Sequence, residues 1–124
     1  MAMPLTYRDL DAWKMAMRLA VECYRLTDQF PKAEQYGLTQ QIRRASTSIA
    51  ANVAEGNARR TRPAYIHHVN IAIGSLAELE TEVLLAISLS LASQGTAQAV
   101  LDTAGQTGRL LLALVHALER PAAS

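Results

Sequence analysis

Between Leu38 and Gly56 the chain carries two stripes at once. Leu38, Ile42, Ala45, Ile49 and Val53 recur by threes and fours, the spacing of one apolar helix face. Gln41, Arg44, Ser48, Asn52 and Glu55 run beside them at the same spacing, so they share a second, polar face. A bundle helix needs an apolar stripe and a solvated back. An ordered polar seam next to that stripe has to match something, either another helix or a ligand. This restricts the chain to architectures in which helices pack along their lengths.

The remaining segments agree. Sustained alternation of Val, Ile and Thr is absent, which argues against a sheet. The chain has 124 residues, half of them apolar, but a single Trp and a single Phe. Ala and Leu therefore supply the packing, which favours close helix–helix contact in one domain. A first helix is predicted over about 7–29, with Leu10, Trp13, Met17, Ala20 and Tyr24 inward, stopped by Phe30-Pro31. A second covers about 34–56 and ends at Gly56 as a left-handed cap. Thr61 caps a third, with Pro63 in its first turn; it runs over about 62–92. Gly95 ends that helix, and Thr96 caps a fourth running to about 119. Its inner face is read as Val100, Leu101, Ala104, Gly108, Leu111, Val115 and Leu118. Short connections make successive helices antiparallel neighbours, so the expected fold is all-α, an up-down-up-down four-helix bundle spanning residues 1–124.

The third helix offers the seam a mate, because His68, Ser75, Glu78 and Glu82 fall close to one face. Arg44 is placed to pair with Glu78 or Glu82, and Asn52 or Ser48 to hydrogen-bond across. Such a seam either fixes helix register or forms a polar site or subunit interface. Net charge is only +1, yet Arg43, Arg44, Arg59, Arg60 and Arg62 lie where Glu55 is the one nearby acid. These are either a solvated loop and helix face or a surface that tracks nucleic-acid phosphates with little sequence preference. Arg43, Arg59, Arg60 and Arg62 are the nucleic-acid candidates.

No catalytic or metal-binding pattern emerges. His67 and His68 are adjacent, so a helix points them about 100° apart. The paired Glu-x-x-His motifs of di-iron bundles are missing, as is a phosphate-cradling glycine loop. Neither enzymatic activity nor a cofactor is expected. Cys23 stands alone and reads as a small buried residue. The absence of a secretion signal and of a span-length apolar run makes a cytoplasmic protein the expectation.

Several segments together carry a family resemblance. They are Tyr7-Arg8-Asp9-Leu10-Asp11-Ala12-Trp13, Phe30-Pro31 with Glu34-Gln35-Tyr36-Gly37-Leu38, Gln41-Ile42-Arg43-Arg44-Ala45, Ser48-Ile49, Asn52-Val53-Ala54-Glu55-Gly56 and Gly74-Ser75-Leu76-Ala77-Glu78-Leu79-Glu80. Over residues 7 to 92 the chain resembles the four-helix-bundle family of 23S rRNA intervening-sequence proteins. The accessory variability protein of diversity-generating retroelements belongs to the same group. The resemblance implies a bundle without known enzymatic activity, a homo-oligomer with the pentamer favoured, and possible RNA or DNA partners. It also marks Gln41, Arg44, Ser48, Asn52, Glu55, Ser75 and Glu78 as structural or interface residues.

Overall fold

The computed structural model describes residues 6–121. A 3-10 turn at Tyr7–Asp9 leads into α1 (Asp11–Thr27). A second turn at Lys32–Glu34 precedes α2 (Leu38–Ala58), followed by α3 (Arg62–Ser88) and α4 (Gln94–Glu119). The described residues contain no strand, so the fold is an all-α four-helix bundle. Each helix packs on its neighbours in sequence, and α1 closes on α4. Side-chain pairings fix the directions. Ser48 and Asn52 of α2 meet Ser75 and His68 of α3, and Arg62 at the start of α3 reaches Arg120 just past the end of α4. Both pairs of helices are therefore antiparallel.

Local chemistry sets the ends. Thr61 is the N-cap of α3 as expected, its hydroxyl accepting from the Ala64 amide at 3.3 Å, and Pro63 occupies the first turn, where no amide donor is needed. Other boundaries differ from the expectation, and α2 starts at Leu38 rather than near residue 34. The first helix is broken at Leu10, whose extended backbone separates the 3-10 turn from α1. Gly56 lies inside α2 and has no left-handed backbone. Its role is steric: a Cβ there would come 2.9 Å from the His68 Cβ and 3.1 Å from the Tyr65 ring. Gly95 likewise falls in the first turn of α4. That helix is capped by Ser93, whose hydroxyl accepts from the Thr96 amide at 3.2 Å, and not by Thr96. Ser90, with φ of 60°, makes the left-handed turn that ends α3, and the Leu91 amide closes on the Ala86 carbonyl.

The core runs along the bundle axis and is built from Leu19, Ile42, Ile49, Val53, Val69, Leu79, Val83 and Leu111, all buried. The inner face of α1 is rotated from the expected one. Ala12, Ala16, Leu19, Cys23 and Leu26 point inward, while Met17 and Tyr24 are 41% and 43% exposed. Trp13, Met17 and Tyr24 line the outer groove between α1 and α2, with Trp13 also packed against the edge of the core. On α4, Leu101, Gly108 and Leu118 are only partly buried, and Thr103 and Thr107 take buried positions. Each threonine hydroxyl bonds to a carbonyl one turn back in its own helix.

Candidate functional site

The polar seam divides into two halves. Near the Gly56 end it is a connected network between α2 and α3. The Ser48 and Ser75 hydroxyls are 2.9 Å apart. Asn52 donates its amide to the Ser48 carbonyl at 2.9 Å and to the Ser48 hydroxyl at 3.1 Å. The Asn52 carbonyl oxygen then lies 3.1 Å from Nδ1 of His68, which in that tautomer donates. Glu55 extends the chain, with one carboxylate oxygen 3.9 Å from His68 Nδ1 and the other accepting from Arg59 at 2.7 Å. Gly56 allows this, because helices held apart by a Cβ would not bring His68 to Asn52.

Toward the Leu38 end the seam has no such partners. Gln41 and Arg44 are exposed, and no ion pair joins Arg44 to Glu78 or Glu82 among the described residues. The expected pairing does not form because Glu82 is buried whereas Arg44 turns outward. Glu82 is only 7% exposed, and one of its carboxylate oxygens has no hydrogen-bond partner. Burial first, then the charge of Glu78 and a hydrogen bond with it, push the Glu82 carboxyl up to about 7. Cys23 is free and buried. Its thiol is pushed up to about 12 by burial and by the nearby Glu22 and Glu82 carboxylates, which leaves it unreactive at neutral pH.

The four candidate arginines do not form one surface. Arg43 is held against the C-terminal end of α1. Its Nε donates to the Thr27 hydroxyl at 2.8 Å, its guanidinium carbon lies 4.6 Å from the centre of the Tyr24 ring, and Asp28 is 4.0 Å away. Arg59 is paired with Glu55. Arg62 donates to the Arg120 carbonyl at 3.0 Å, and neither Arg60 nor Arg62 has a carboxylate partner among the described residues. Arg43 and Arg59 are about 24 Å apart along α2 at 1.5 Å per residue.

The periodicity of α1 did not reveal an open concavity beside it. Trp13, Met17, Ala20, Val21 and Tyr24 of α1 face Thr47, Ala50, Ala51 and Ala54 of α2 across an open apolar groove of about 550 Å³. A separate set of exposed leucines, Leu84, Leu85 and Leu89, lies at the far end of α3. The signal for the groove was present in the sequence, in a stripe of large residues on α1 facing a stripe of alanines on α2. Among the described residues no group of three His, Cys, Asp or Glu side chains is placed to hold a metal ion, and no helix is long and apolar enough to cross a membrane.

The model of one protein family, described as 23S rRNA-intervening sequence protein, matches residues 8–113. The chain belongs to this family. Among solved structures it is similar to a protein of unknown function from the S23 ribosomal protein family of Bacteroides thetaiotaomicron VPI-5482. The TM-score is 0.79 at 22% identity, covering 85% of this chain and 95% of the other. At that identity the likeness establishes a shared fold. No match was found among the curated proteins. The family match reaches into all four helices.

Proposed function

We propose that this family member is a non-catalytic assembly module whose α1–α2 groove takes up a second copy of the same chain. The observation that carries the reading is the groove itself: about 550 Å³, walled by Trp13, Met17, Val21 and Tyr24 over an alanine floor. Apolar area left in water is unfavourable by roughly 25 cal/mol per Å², and covering these walls would remove that cost. The occupant is argued from the same molecule. The exposed Leu84, Leu85 and Leu89 lie on a different helix from the groove, and a ridge on one face that fills a hollow on another makes a head-to-tail contact. Repeated with a rotation that closes, such contacts generate a ring, which is consistent with the pentamer that the family resemblance favours.

The test is the molar mass in solution. Light scattering on the purified wild type is expected to give a multiple of 13.5 kDa. Met17→Glu with Ala51→Glu is expected to reduce this to a single chain with unchanged helicity. A wild type that remains a lone chain at ~100 µM overturns the reading.

A second reading, nucleic-acid binding at the α2–α3 loop, is favoured by Arg60 and Arg62, both exposed and without a carboxylate partner among the described residues. The family description, which names a 23S rRNA intervening sequence, is in keeping with RNA as the target. Changing Arg59, Arg60 and Arg62 to Glu should abolish binding of structured RNA at low salt without unfolding the bundle. No mobility shift with the wild type would remove this reading.

A further inference from the structure

We propose that a cleft at the Leu38 end of α2 binds a nucleotide unit, with its base stacked on Tyr36 and its phosphate held by Arg44 beside the fixed charge of Arg43. The inference rests neither on self-association nor on Arg60 and Arg62. The cleft is a cavity of about 390 Å³ whose walls include Tyr24, Gln35, Tyr36, Gln40, Arg43 and Arg44. That volume falls within the range of small-ligand sites. Its chemistry is unlike that of the apolar groove, because every lining side chain is polar or aromatic and none is a carboxylate.

Each component has a defined state. Arg43 is pinned by Thr27 and lies over the Tyr24 ring, so its charge sits in a fixed position. Asp28, 87% exposed, pairs with Arg43 at 4.0 Å, a solvent-screened contact that offsets that charge only weakly. Arg44, the next residue, is exposed and unpaired among the described residues. Glu34, the other acid close by in sequence, is occupied with the Leu38 amide at 3.3 Å. Tyr36 is 84% exposed, and its ring makes no aromatic or cation–π contact among the described residues. A ring so displayed is a stacking platform of the kind used for bases in single strands. The Gln35 and Gln40 amides offer both donors and acceptors, as base edges require. Two adjacent cations, a free aromatic face and two amides suit an aromatic group that bears a phosphate. An apolar or cationic ligand would leave the Arg44 guanidinium unanswered.

That chemistry is shared by a free nucleotide and by a residue of a single strand, and the experiment separates them. The full chain is titrated at low salt with adenosine monophosphate, with inorganic phosphate and with a short single-stranded oligoadenylate. Binding is measured for the wild type, Tyr36→Ser, Arg44→Gln and the Arg60→Gln, Arg62→Gln pair. The wild type is expected to bind, with Tyr36→Ser weakening binding about tenfold and Arg44→Gln several-fold. The Arg60, Arg62 pair should bind as the wild type does, and helicity and molar mass should be unchanged in all variants. Equal affinity for the mononucleotide and the strand identifies a free nucleotide, and binding of the strand alone identifies single-stranded nucleic acid; either supports the cleft. The inference falls if nothing binds, if inorganic phosphate competes as well as the nucleotide, or if losses follow a change in molar mass. Strand binding lost only in the Arg60, Arg62 pair also overturns it, and leaves the α2–α3 reading standing.

Discussion

Replacing Glu82 with Gln should make the bundle's stability independent of pH over a range where the wild type weakens. Glu82 is buried on α3 next to Glu78, with one oxygen unpartnered, and its carboxyl is raised from 4.5 to about 7. The folded-state value lies above the unfolded one, so the stabilising form is the protonated one. Its contribution is fully present below about pH 4.5 and is lost as pH rises through 7. A shift of this size, at 1.36 kcal/mol per unit, corresponds to an upper bound of about 3 kcal/mol between pH 4.5 and 8.5; solvent relaxation brings the expected figure to roughly 2 kcal/mol. Gln keeps the shape and neutrality of the protonated acid and cannot ionise. Urea unfolding would be followed by circular dichroism at several pH values between 5 and 8.5, at one fixed protein concentration. The wild type should lose about 2 kcal/mol relative to Glu82→Gln across that interval. A difference that stays constant, or that favours the wild type at high pH, would refute the argument that the buried carboxylate lacks a counter-ion. Glu78→Gln gives a partial effect, since it removes the second cause of the shift but not the first.

Gly56→Ala should destabilise the protein despite alanine's better helix propensity. The new Cβ meets the His68 Cβ at 2.9 Å, an overpacking cost of about 1–3 kcal/mol against a gain of up to ~1 kcal/mol; a higher melting temperature in the variant would contradict the close approach of α2 and α3. Ser48→Ala and Ser75→Ala should each cost about 1 kcal/mol. In a double-mutant cycle they should show positive coupling, because the two hydroxyls bond to each other at 2.9 Å; strict additivity would mean the bond contributes nothing.

Much of this architecture is legible in the sequence, and the exceptions have physical causes. The double stripe of α2 translates into a buried face and, at its Gly56 end only, a partnered one, since Ile42, Ile49 and Val53 are apolar and branched while Ser48 and Asn52 are polar and short. On α1 two apolar stripes lie one step apart, Ala12-Ala16-Leu19-Cys23 and Trp13-Met17-Ala20-Tyr24, and periodicity alone cannot rank them. The fold buries the set with the smaller residues and leaves the larger set along the groove. The glycines misled because their usual place after a helix end reflects a backbone preference. Gly56 instead serves inter-helix distance, and Ser90 takes the left-handed turn. The cleft was hidden for a different reason. Tyr36, Gln40 and Arg44 recur by fours, but Tyr24 belongs to α1, and only the packing of α2 against α1 adds it to them.

The two ends of α2 follow different physical logic, and this separates architecture from function. At the Gly56 end each polar group of the seam finds a partner within the chain, from Ser75 through Ser48, Asn52 and His68 to Glu55 and Arg59. A network closed in this way fixes register and leaves little for a ligand to bind except the outlying Arg60 and Arg62. At the Leu38 end Gln41 and Arg44 stay in solvent, while Glu82 is buried nearby without a cation. Had the seam served stability along its whole length, Arg44 would neutralise Glu82, because breaking a buried pair costs several kcal/mol. Instead the acid stays buried without a cation, its carboxyl raised to about 7, and the guanidinium remains outside, beside Arg43 and two tyrosines. Such an arrangement gives up stability near neutral pH to keep a cation available. It is therefore this end of the helix that geometry singles out for recognition.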